Sequence, residues 1–133
     1  MIQAILHKIK LVFTRPKDFF KAESKNKDIL EPFIYFTLIQ AVYTIFSYIV
    51  FIFMIKFHPD YMREMMDKIN MPMENLALMF YLLGFPLSLI ISFAASGILH
   101  LWYKLFGAKG KYSNTYSIFA YSSTPNSLLG WVP

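Results

Sequence analysis

The stretch LALMFYLLGFPLSLIISFAASGILHLWYK, Leu76 to Lys104, has no charged residue before its last. A helix of about 20 apolar residues crosses the hydrocarbon of a bilayer. At about 1.5 Å per residue this stretch reaches beyond it, so residues 76–104 are expected as a transmembrane helix. Gly84 and Pro86 interrupt it, and Pro86 removes a backbone hydrogen bond, so a kink is expected there. Gly84, Ser88, Ser92, Ser96 and His100 recur every fourth residue and therefore share one helix face. Small residues in such a stripe let another helix approach closely in lipid. The stripe is expected to be a packing seam. A sharper reading makes it the wall of a polar cavity ending at His100.

Upstream, residues 33–55 form a second uncharged run, closed by Lys56 and opened by Glu31-Pro32. It is expected as the first span. Thr37, Gln40, Thr44 and Ser47 lie along one side of it. Polar groups in hydrocarbon need partners, so this side should face protein, and the Gly/Ser stripe of the second span is its expected partner. Residues 1–31 carry Ile2, Ile5, Leu6, Ile9, Val12 and Phe13 at helical spacing, with His7, Lys8 and Lys10 largely off that face. This predicts a basic amphipathic helix on the membrane surface. Thr14 is expected to cap a second short helix beginning at Arg15-Pro16, anchored by Phe19 and Phe20.

The 133 residues are 56% hydrophobic and 16% charged, with the charge confined to blocks. That composition excludes an ordinary soluble domain and points to an integral membrane protein. The net charge of +5 is read as loops on the cytoplasmic side, with no nucleic-acid partner. There is no cysteine, which excludes disulfides and thiol chemistry. No cleavable signal peptide is visible.

Seven basic residues (Lys8, Lys10, Arg15, Lys17, Lys21, Lys25 and Lys27) precede the first span, and Lys104, Lys109 and Lys111 follow the second. The connector, residues 58–75, is slightly acidic. Basic loops stay inside, so the N-terminus is expected in the cytoplasm and the connector outside. Tyr61, Met62, Met65, Met66 and Ile69 predict an interfacial helix within the connector. Residues 105–133 are expected as a cytoplasmic Gly/Lys loop followed by the start of a third span: Tyr112 to Tyr121 can form a helix, and Thr124-Pro125 can start another.

Chemistry-bearing patterns are sparse. His7, His58 and His100 are far apart, no acid pair lies in a span, and no Ser/His/Asp arrangement is legible. Gly107-Ala-Lys-Gly-Lys111 lacks the spacing of a phosphate loop. Lys104, Lys109 and Lys111 are candidates for binding anionic lipid headgroups. Met62, Met65, Met66, Met71 and Met73 with His58 form the one metal-like cluster in the sequence, of a kind that favours Cu(I), but they are read first as adaptable apolar filler of an interfacial helix. No cofactor and no metal site are expected.

From His100 onward the chain reads HLWYKLFGAKGKYSNTYSIFAYSSTPNSLLGWVP. His100, Gly107, Gly110, Tyr112, Thr115, Tyr121 and Pro125 follow the pattern of the Yip (Ypt-interacting protein) domain family, which this sequence resembles. Pro16-Lys-Asp-Phe-Phe20 and Glu31-Pro32 resemble that family's opening. The resemblance covers nearly the whole chain and implies an all-α, multispanning membrane protein. The family often has paired glycines where this chain has Gly107-Ala108, and its usual fold has about five spans. The Asp-Leu-Tyr-Gly-Pro type motif of its trafficking members is absent. The resemblance is therefore to the prokaryotic branch, in a cell membrane, and leaves a GTPase partner open.

The expected architecture is an all-α integral membrane protein with two full transmembrane helices, an N-terminal amphipathic helix and the start of a third span, forming one incomplete domain over residues 1–133. Its expected role is a non-enzymatic membrane adaptor that works through helix–helix and lipid contacts, with other membrane proteins or its own copies as partners. The alternative is a transporter or permease subunit with a polar path between the spans.

Overall fold

The computed structural model describes residues 2–25, 27–57 and 72–132. The expected connector helix, and Met62, Met65, Met66 and Met71 with His58, lie outside the described residues. Helices α1 (Ile2–Thr14) and α2 (Pro16–Glu23) come first. Two long helices follow, α3 (Leu30–Phe57) and α4 (Met73–Leu105). Two short ones close the chain, α5 (Tyr112–Ser122) and α6 (Thr124–Leu129).

Local chemistry sets the boundaries. Thr14 ends α1 instead of capping α2, because its Oγ1 turns back to the Lys10 carbonyl at 2.7 Å. Arg15 takes the cap position, and Pro16 opens α2 at a site where its missing N–H costs nothing. Asp28 starts α3 by accepting the Leu30 N–H at 2.9 Å. Gly107 ends α4 with φ +81°, in the left-handed region that glycine enters without a Cβ clash. There the Ala108 N–H reaches the Tyr103 carbonyl and the Gly107 N–H reaches that of Lys104, both at 3.0 Å. These paired bonds satisfy the last carbonyls of the helix.

Helices α3 and α4 run antiparallel, with Phe33 near Phe93 and Tyr48 near Tyr81. Only 6% and 11% of their most apolar windows are buried in the molecule. A core helix of a soluble protein would be mostly covered, so these two are membrane spans. Left in water, each exposed Leu, Ile or Phe would forgo about 1.5–3 kcal/mol of burial.

The centre of the packed region is α5. Tyr116, Ser117, Ala120 and Tyr121 are fully buried, and the helix packs against both α3 and α4. One apolar cluster joins Val12, Phe19, Tyr35, Ile39 and Tyr121. A second joins Phe36, Tyr116 and Ala120, with Phe33, Leu89 and Phe119 around it. The residues from Tyr112 onward, expected as the start of a third span, therefore pack inside the molecule. They are the core at that end, and the spans and the amphipathic helix close over them. Neither α5 nor α6 has the length of a span. The opposite end is barer: past the stacking of Phe46 on Trp131, α3 meets α4 through Tyr48, Phe51 and Tyr81. Met73 and Ala77 are buried there, while Ile45, Ile49, Phe53, Leu78, Leu82 and Leu83 are exposed.

Candidate functional site

The repeat of small residues on α4 meets α5. Ser96 Oγ and the Tyr112 hydroxyl lie 2.8 Å apart, and both reach the Phe93 carbonyl, at 3.1 and 2.9 Å. Ser92 Oγ donates to the Leu89 carbonyl at 2.7 Å. It also lies 3.3 Å from the Tyr116 hydroxyl, long for a bond between hydroxyls. His100 Nδ1 is hydrogen-bonded to Thr115 Oγ1 at 2.9 Å, with the Tyr112 ring edge-on beside it. The arrangement is a ladder in which each rung pairs a short polar residue of α4 with a hydroxyl of α5.

The polar side of α3 does not cover these serines. Thr37 and Thr44 donate to their own helix, to the Phe33 and Gln40 carbonyls, both at 2.8 Å. Ser47 Oγ is buried and has no hydrogen-bond partner among the described residues. Hydroxyls on short side chains readily return to the backbone one turn back, whereas a tyrosine carries its hydroxyl far enough to reach a neighbouring helix. Gly84, at the far end of the repeat, has nothing within 4 Å of where a Cβ would stand. It borders a cleft of about 240 Å³ together with Gln40, Tyr43 and Thr44. Ser88 lies between the two regimes and donates to the Phe85 carbonyl at 2.6 Å.

A second polar centre joins four helices through Lys8. Its Nζ lies 2.8 Å from Glu23, 2.9 Å from Glu31 and 2.7 Å from the Tyr121 hydroxyl. The Tyr121 ring packs edge-on against Phe19 and Tyr35, and Tyr35 bonds Thr124 at 2.8 Å. Burial alone would lower the Lys8 pKa, but the bonds to Glu23, Tyr121 and Glu31 outweigh it and hold the ammonium above the ordinary lysine range. Burial pushes the Tyr121 phenol up to about 12, despite the bond from Lys8. Sequence reasoning counted Lys8 with the basic block and missed this centre. Its spacing carried a signal: Ile5, Lys8 and Val12 stand three and four residues apart, so Lys8 flanks the apolar face.

The Gly/Lys loop presents Lys104, Lys109 and Lys111 at the surface, and Gly110 is exposed beside them. The Lys111 N–H donates to Asn114 Oδ1 at 2.9 Å. Asn114 Nδ2 in turn donates to the Ser24 carbonyl at 2.6 Å, tying the loop to the end of α2. Pro125 stands exposed in the first turn of α6. Among the described residues, no group of three or more His, Asp or Glu is placed to hold a metal.

The residues of the proposed motif thus occupy three places. His100, Tyr112 and Thr115 lie in the ladder, Tyr121 lies at the Lys8 centre, and Gly107, Gly110 and Pro125 lie at turns and helix starts. No curated protein and no solved structure matches the chain. The sequence profile of the Yip1 domain matches residues 10–133, a span that takes in both spans, the ladder and the Lys8 partners on α2, α3 and α5. This all-helical membrane protein belongs to the Yip1 domain family.

Proposed function

We propose that this protein is a non-enzymatic membrane organiser that acts through helix–helix and lipid contacts. The observation that carries the reading is the uneven packing of α3 and α4. One end is closed around α5, and the other offers an apolar cleft of about 310 Å³ between the helices, lined by Ala41, Thr44, Tyr48, Leu78, Tyr81 and Phe85. A permease would need a polar path there. The apolar lining, and the return of Thr44 to its own backbone, favour packing partners over a solute. The polar groups of the ladder are likewise occupied with one another.

In this reading the N-terminus and the Gly/Lys loop face the cytoplasm of a prokaryotic cell, and Lys104, Lys109 and Lys111 meet anionic headgroups. The test is photocrosslinking in the native membrane from Tyr48 and from Leu82, with Ile98 as an outward reference. A recurrent protein adduct at Tyr48 and Leu82 but not at Ile98 supports the organiser. A co-purifying small solute with no protein adduct supports the permease. The native chain lacks cysteine, so labelling of Glu74→Cys by an impermeant reagent in intact cells, with Lys109→Cys protected, checks the orientation.

A further inference from the structure

We infer that α2 and the Gly/Lys loop together form one composite site for the headgroup of an anionic phospholipid. This rests on the lipid contacts proposed above for the loop and extends them to residues far away in sequence. A single side chain carries the juxtaposition. Asn114 accepts from the Lys111 N–H and donates to the Ser24 carbonyl, so the backbones at Lys111 and Ser24 are two hydrogen bonds apart. Lys25 follows Ser24 directly. Lys21 is held one turn before it, where its carbonyl accepts the Ser24 hydroxyl at 2.9 Å. Lys21, Lys25, Lys109 and Lys111 are all exposed.

The nearest acid in sequence does not neutralise this patch. Glu23 sits between Lys21 and Lys25, but its side chain is 13% exposed and its carboxylate is engaged by Lys8. The Lys8 centre thus draws an acid inward and leaves the surrounding lysines facing out. A membrane surface, not a nucleic acid or an acidic protein, is the fitting partner because of what adjoins the patch. Trp102, Tyr103 and Phe106 are 58%, 44% and 75% exposed at the end of α4, and they flank Lys104. Exposed aromatics at the end of an apolar span mark the headgroup level of a bilayer. Basic residues held at that level attract anionic lipid at about 1 kcal/mol each, or about fivefold in affinity.

The experiment is native mass spectrometry of the full chain in mild detergent, titrated with phosphatidylglycerol and, separately, with phosphatidylcholine. Phosphatidylglycerol is expected to bind in preference. Lys21→Gln and Lys25→Gln should each weaken it by about fivefold, as should Lys111→Gln, while Lys56→Gln at the other end of α3 changes nothing. Asn114→Ala should weaken it without removing any charge. Lys21→Arg should retain it. If Lys21→Gln and Lys25→Gln behave like Lys56→Gln, the composite site is wrong. In that case, continued loss with Lys109→Gln and Lys111→Gln would leave the simpler loop contact standing, and no loss would remove that as well. Displacement of phosphatidylglycerol by an equal concentration of inorganic phosphate would show a free-anion site and overturn the assignment to lipid.

Discussion

Where α3 begins and α4 finishes, four further helices close around them, and polar groups are paired across helices: Lys8 with Glu23, Glu31 and Tyr121, Ser96 with Tyr112, His100 with Thr115. Where α3 finishes and α4 begins, apolar side chains face outward, and the hydroxyl of Thr44, at the edge of that region, is satisfied within its own helix. Both ends are built from the same two apolar helices. The difference is that a third helix carrying tyrosines enters one end. In a bilayer, lipid tails are as apolar as leucine, so burial alone brings helices together weakly. Specific packing and paired polar groups do it instead, and this chain concentrates both at one end.

The sharpest way to break that contrast is to truncate one aromatic at each end. Tyr121→Ala removes a fully buried ring and should cost about 3–5 kcal/mol in a detergent melting assay. Phe53→Ala, at the exposed end, should stay within about 0.5 kcal/mol. Equal losses would show that the two ends are held alike.

Lys8→Met should cost about 1.5–3 kcal/mol, the worth of hydrogen bonds to charged groups. The pH dependence has a defined sign. Lys8 and Tyr121 both have folded-state pKa values raised above the unfolded ones. Their contribution is complete below about pH 10 and declines as pH climbs above it. Melting temperatures of the wild type should therefore fall between pH 10 and 12, and Lys8→Met should flatten that fall. A drop already present between pH 7 and 9 would point to other groups.

The α4 repeat gives an internal comparison. Ser96 is fully buried against α5, so Ser96→Leu should overpack the seam and cost about 1–3 kcal/mol. At Gly84 an added Cβ meets nothing within 4 Å and the cleft beside Gln40 and Thr44 has room for the rest of a side chain, so Gly84→Leu should be tolerated. Comparable damage from both would mean that the repeat is one continuous contact. Thr115→Val, which removes only the bond to His100, should cost about 0.5–1.5 kcal/mol.

Much of the fold could be read from the residues. Two uncharged runs marked the spans, Pro16 marked the start of α2, and Gly107 marked the end of α4. The helical repeat puts Ser92, Ser96 and His100 on one face, and the Ser/Thr side of α3 is its expected cover, whereas the hydroxyls it meets are those of the tyrosine-rich residues after Gly110. Hydropathy hides that segment, because tyrosine and serine lower it and α5 is too short to count as a span. Yet those hydroxyls are what the serines bond. Thr14 has the residue type of a cap, although a hydroxyl at the end of a helix can equally turn back to its own last turn. Lys8 was hidden because a charge on the flank of an amphipathic face looks solvated until its partners, 15, 23 and 113 positions away, are known.

That last separation has a consequence for the order of assembly. A chain made from its N-terminus exposes Lys8 and Glu23 early, and Glu31 soon after, but Tyr121 emerges only after both spans. The ring that α1, α2 and α3 close upon is thus the last of the four to arrive. Until then the faces of Val12, Phe19 and Tyr35 that will meet it have only one another and the membrane surface. Closing so long a loop is slow, because chain entropy is lost before the contact is gained. The N-terminal helices therefore act as a latch that closes only once Tyr121 has been made, and a ribosome stalled before Tyr121 would leave two inserted spans with the latch still open.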